Sequence, residues 1–147
     1  MSVPVGLRNV PENEHNAKFD VLESCNNLFY HAVLCCQSSK VQSSCFVFLA
    51  NGIIQQSLEI YLCAYEANSV PFYKGQITEE QYKTRIQLIT QAMRGCSNLE
   101  GMVTLGKRSF KWRNNKIYYW LGMIKNTRDL LSNWYKWCNN EFGGREL

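Results

Sequence analysis

The densest run of chemically capable side chains is Lys107-Arg108-Ser109-Phe110-Lys111-Trp112-Arg113-Asn114-Asn115-Lys116, with five cations and two aromatics in ten residues. Clustered Lys and Arg gain affinity for a phosphate backbone by releasing condensed counterions, and exposed rings stack on unpaired bases. The run reads as a nucleic-acid footprint. The plainer alternative is a solvated loop whose Phe110 and Trp112 tuck back onto the end of the molecule. Positive character continues through Lys125, Arg128 and Lys136, with only Asp129 opposing it between Lys107 and Lys136. Residues 1–100 carry seven Lys/Arg against nine Asp/Glu, whereas residues 101–147 carry nine against three, so the net charge of +4 is concentrated in the C-terminal third.

Catalytic patterns are scarce. There is no glycine-rich phosphate loop, no G-x-S-x-G elbow and no HExxH. His31 and Cys35 stand four residues apart, a helical spacing that lets an imidazole face a thiol. A half-buried histidine on a helix is the commoner outcome of that spacing, and the chain is expected not to be an enzyme. The seven cysteines form no CxxC pair and fall mainly inside apolar helical patterns, and the two histidines, His15 and His31, lie far from any paired thiols. The cysteines read as reduced core residues, with no metal site and no cofactor expected.

Four helical stretches position these residues. From about Lys18 to Gln37, Leu22, Cys25, Phe29, Ala32, Val33 and Cys36 recur at three- and four-residue steps, which is one stripe of a helix. A polar connection, Ser38 to Ser44, leads to a second helix from about Ser44 to Ala67, with Phe46, Leu49, Ile53, Ile60, Tyr61 and Ala64 available for burial. Gly52 weakens that helix by ~1 kcal/mol in propensity and is a place where a neighbour can approach closely. After the loop Asn68 to Ile77, Thr78 and Gln81 form a capping-box pattern opening a third helix through Tyr82, Ile86, Ile89, Met93, Cys96, Leu99 and Val103 to a glycine stop near Gly106. The fourth, from about Arg113 to Asn140, carries Ile117, Trp120, Leu121, Ile124, Leu131, Trp134 and Cys138 at near-heptad spacing before Gly143-Gly144.

Helices of similar length joined by short turns predict an all-α, antiparallel up-down-up-down four-helix bundle over residues 17–142, with a flexible arm at 1–16 and a tail at 143–147. At 147 residues and 46% hydrophobic content the chain fits one domain, and its few prolines and dispersed glycines argue against a many-stranded sheet. The polar start from Met1 to Asn16 does not read as a secretory signal, and no run approaches the ~20 apolar residues of a membrane span. A soluble, cytoplasmic protein with no membrane partner is the expectation.

The last helix is overloaded with aromatics. Trp120 and Trp134 share the core stripe, but Tyr118, Tyr119, Tyr135 and Trp137 cannot all point inward at ~100° per residue. With Phe110 and Trp112, these four make the candidate subunit or partner interface. Shielding of the flanks accounts for them equally well.

Several positions taken together resemble the small four-helix-bundle family that includes the accessory variability determinant of diversity-generating retroelements, and more distantly the bundle proteins encoded in ribosomal RNA intervening sequences. They are Met1-Ser2-Val3-Pro4-Val5-Gly6, the run from Ile53 to Tyr61 with Glu66-Ala67-Asn68, Arg85, Cys96-Ser97-Asn98-Leu99, Lys116 to Trp120, Arg128-Asp129-Leu130-Leu131 and Trp134. The resemblance implies a non-catalytic accessory protein whose subunits form a homo-oligomeric ring, typically a pentamer, with a positive surface engaging RNA or complementary DNA and the element's reverse transcriptase. Lys116 and Arg128 are the residues it places best for that role, with Arg85 and Arg94 behind them. The chain departs from the family in being only mildly basic, with Glu12, Glu14, Glu79 and Glu80 unhelpful to RNA. The alternative reading is a protein-interaction module of a phage or mobile element that works without nucleic acid.

Overall fold

A computed structural model describes residues 12–73 and 75–143; the expected N-terminal arm up to Pro11, Lys74 and the tail from Gly144 lie outside the described residues. The elements are α1 (Glu12–Cys36), α2 (Ser39–Gln42), α3 (Val47–Ser69), α4 (Glu79–Phe110) and α5 (Asn114–Gly143). There is no strand among the described residues. The described residues are therefore all-helical, with five helices among them where four were expected: the polar connection after α1 winds into the single turn of α2, closed by Ser38, whose hydroxyl oxygen accepts the Val41 N–H at 3.3 Å. The first long helix also starts earlier than its apolar stripe, at Glu12.

Each long helix packs against two others, α1 on α3 and α5, and α4 on α3 and α5, around one core. Between α1 and α5, the Ser24 and Thr127 hydroxyls lie 2.6 Å apart and the His31 and Trp120 rings 5.2 Å. Between α3 and α4, Gly52 meets Met102, Gly95 meets Ile60, and Arg85 Nε donates to the Ala67 carbonyl at 3.2 Å. Between α4 and α5, Tyr82 donates to Asn139 and Arg128 reaches Ser97. In each of these three pairs, numbers rise along one helix as they fall along its neighbour.

The stripe of α5 packs largely as its spacing predicts: Ile117, Trp120, Ile124, Leu131, Trp134 and Cys138 are buried, with Thr127 completing the row, while Leu121 is only half-buried. Thr127 satisfies its hydroxyl on the Met123 carbonyl at 2.9 Å as well as on Ser24, so a polar side chain fits the core without an orphaned group. On α1 the buried row is Val21, Cys25, Leu28, Ala32, Cys35 and Cys36, so it is rotated from the predicted one, and Leu22, Phe29 and Val33 fall to its flank. Residues 21, 22, 28 and 29 are all apolar, and periodicity alone does not choose between adjacent rows.

The capping box at the start of α4 is present in full: Gln81 N–H reaches the Thr78 hydroxyl at 3.1 Å, and Thr78 N–H reaches the Gln81 side chain at 3.0 Å. The predicted stop at Gly106 is not one; α4 runs on to Phe110, and Gly106 is buried inside it. A Cβ on Gly106 would come within 2.5 Å of the Trp112 ring, and one on Gly95 within 2.7 Å of Ile60. Both glycines are there for close approach, not for termination. At Gly52 the neighbour is only the flexible tip of Met102, 3.0 Å from where a Cβ would stand.

Candidate nucleic-acid interface

The basic run forms the reversal between α4 and α5. Lys107 and Arg108 occupy the last turn of α4, where cations complement the negative end of the helix dipole. The turn closes on the Lys107 carbonyl, which accepts from Lys111 N–H and, at 3.1 Å, from Trp112 N–H. Closure puts Lys111 in the left-handed region at φ 56°, the place where helices usually use glycine. A lysine there costs ~1 kcal/mol or more.

Lys107, Arg108, Lys111 and Arg113 are exposed, and none has a carboxylate partner among the described residues. Phe110 and Trp112 fold inward instead. They are 5% and 8% exposed, which corrects their assignment to a partner interface. Trp112 packs at a tilt against Phe110 and Trp120 and over Gly106, and Lys116 Nζ sits 5.4 Å from its ring centre. Ring and ammonium together hold the reversal onto the end of the helices.

A pocket of about 250 Å³ opens between α2 and this reversal. Val41, Phe110 and Trp112 supply its apolar wall, while Lys40, Lys111, Arg113 and Lys116 supply four cations, and no acidic residue among the described ones lines it. Lys40 is not among the residues that the sequence singles out. It lies in a polar connection far from the basic run, and only the packing of α2 against the bundle end brings the two together.

The remaining candidates divide. Lys136 is exposed, as is Arg94, which with Arg128 and Tyr135 lines a groove of about 370 Å³ between α4 and α5. Arg128 is half-buried and paired to Glu100 at 3.3 Å, and Lys125 is paired to Asp129 at 3.3 Å. These two cations are partly neutralised by the chain itself. Arg85 leaves the interface altogether: it is 1% exposed, its guanidinium 4.4 Å from the Phe72 ring centre and 5.0 Å from that of Trp134. A side chain so enclosed cannot reach a phosphate.

Of the surplus aromatics, Tyr118 and Tyr119 are exposed at 70% and 64%, while Tyr135 and Trp137 are half-buried, Trp137 against Phe72. Sequence reasoning passes over Tyr30 and Leu34, which are exposed on α1. The His31 ring lies 5.4 Å from Tyr119, so α1 and α5 present their apolar surface side by side.

The spacing of His31 and Cys35 does bring Nε2 within 3.4 Å of Sγ. Burial lowers the His31 pKa and the Lys116 charge lowers it further; burial also raises that of Cys35, against the opposing pull of Lys116. Both shifts favour the uncharged pair, the reverse of the thiolate and imidazolium a cysteine nucleophile requires. Among the described residues no three His, Cys, Asp or Glu side chains are grouped to hold a metal ion, and no helix is long and apolar enough to cross a membrane.

Compared with known proteins, the chain matches no protein family, no curated protein and no solved structure.

Proposed function

We propose that this protein is a non-catalytic nucleic-acid-binding assembly factor built as an antiparallel up-down-up-down four-helix bundle. The helix order is supported by the opposed numbering of the α1·α5, α3·α4 and α4·α5 contacts, which leaves α1 and α3 antiparallel as well. Nucleic-acid binding is carried by one observation: Lys107, Arg108, Lys111 and Arg113 stand in solvent at a hydrogen-bonded helix reversal with no carboxylate partner among the described residues. Unneutralised cations at fixed spacing are what a phosphate backbone rewards. Self-association through Tyr118 and Tyr119 would repeat this patch around a ring and raise affinity by multivalency. A pentameric ring in the cytoplasm, serving a reverse transcriptase on RNA or complementary DNA, is the form the family resemblance gives this reading.

The test is binding to single-stranded RNA and DNA as salt is raised. Affinity should fall ~10-fold or more between 50 and 200 mM salt as about four counterion-releasing contacts are screened. Binding that ignores salt over that range, or no binding at low salt, overturns the proposal.

The exposed Tyr30, Leu34, Tyr118 and Tyr119 favour a second reading, a protein-interaction module of a phage or mobile element that needs no nucleic acid. Nucleic acid co-purifying with the protein, read from its ultraviolet spectrum, separates the two.

A further inference from the structure

We propose that the pocket between α2 and the α4–α5 reversal is a receptor for a phosphomonoester, the doubly charged phosphate that ends a nucleic-acid strand or a nucleotide. The choice of a nucleic-acid phosphate rests on the reading above; the pocket itself does not. Lys40, Lys111, Arg113 and Lys116 come from α2, the reversal and the first turns of α5 to line one space of about 250 Å³, with no acidic residue among the described ones in its lining. Four like charges so confined repel one another, and a multiply charged anion relieves that repulsion where solvent alone does so less well. A backbone diester carries a single charge and a terminal monoester up to two near neutral pH, so this density of cations selects the end of a strand over its middle.

Lys111 is the second observation. Glycine closes a helix at φ 56° without steric cost, yet this position holds a lysine, and that lysine lines the pocket. Backbone strain retained together with a charge at a pocket rim is the pattern of a binding position. Two features assist: Ser38 lines the same pocket with a hydroxyl whose oxygen is engaged by Val41 N–H and whose proton is left to donate, and Arg113 and Lys116 stand at the positive end of the α5 dipole.

The experiment compares one short single-stranded DNA carrying a 5′-phosphate with the same DNA ending in a hydroxyl, and uses AMP as a competitor, on the full chain and on the variants Lys111→Gly and Lys40→Ala. The phosphorylated end should bind ~10-fold tighter, the effect of about one charge-assisted contact, and AMP should compete for that increment alone. Each variant should cut the preference to ~3-fold or less, with Lys111→Gly no less stable to denaturant than the parent. Equal affinity for both ends, or a preference that survives both substitutions, overturns the phosphate pocket while leaving salt-dependent nucleic-acid binding standing. AMP binding that needs Lys40 and Lys111, in a protein that binds neither DNA, upholds the pocket and removes the nucleic-acid reading.

Discussion

Arg85 lies over the Trp134 ring inside the protein, the guanidinium carbon 5.0 Å from that ring centre and 4.4 Å from the ring centre of Phe72. Phe72 belongs to the loop after α3, Arg85 to α4 and Trp134 to α5, and Arg85 Nε also holds the Ala67 carbonyl in the last turn of α3. One cation thus ties three helices and a loop. Replacing it with Ala removes packing and a buried donor together and should cost ~3 kcal/mol or more in denaturant unfolding. Arg85→Lys should recover less than half, because an ammonium neither stacks as a plane nor keeps the same fork of donors. A full rescue by Lys would show that charge alone matters there.

The two close-approach glycines give a paired test. Gly95→Ala and Gly106→Ala place a methyl group against Ile60 and Trp112 and should each destabilise by ~1–3 kcal/mol. Gly101 and Gly122, in α4 and α5, have nothing within 4 Å of where a methyl group would stand, so alanine there should stabilise by up to ~1 kcal/mol. Urea midpoints of the four variants decide it, and equal effects would contradict the tight packing.

Stability should depend on pH through His31. Its pKa in the folded state is below the ordinary 6.5, first through burial and then through Lys116. A depressed value means that the unfolded chain takes up the proton first as pH falls. The contribution is therefore complete above about 6.5, declines as pH drops below it towards the folded value, and levels off once both states are protonated. Denaturation midpoints at neutral and mildly acidic pH should separate in the parent and converge in His31→Asn.

Thiol reactivity should follow burial. Cys45 is exposed, whereas Cys36 and Cys96 are pushed up to about 12, chiefly by burial, and Cys25 is raised further. Alkylation of the native protein at neutral pH should label Cys45 first and Cys35 more slowly than a free thiol. Rapid modification of Cys35 would revive a nucleophilic role for its pair with His31.

Within the basic segment, contributions to binding should differ by neighbour. Neutralising Lys107, Arg108 or Arg113 should each lower the slope of log affinity against log salt by ~1. Arg128 and Lys125, already held by Glu100 and Asp129, should lower it by clearly less. Equal slopes across both groups would argue that the ion pairs open on binding.

What the sequence disclosed and what it hid follow from the range of the forces involved. The α5 stripe and the Thr78–Gln81 cap are local patterns, and both are found in place. Arg85 reads as a surface residue because it is charged; its burial depends on Phe72 and Trp134, supplied by other parts of the chain. Phe110 and Trp112 look available for a partner, yet both are buried, and Gly106 opens the space that Trp112 fills. Lys40 joins the basic pocket through the fold alone.

Trp112 wedged on Gly106 has one more effect. The bend that carries the cations is braced from behind by an indole, so an incoming guest finds the charges already set out and spends little of its attraction on taming a loose loop. Recognition at that end should resemble a key meeting a cut lock: fast to form, with the rate of release deciding how long the visitor stays.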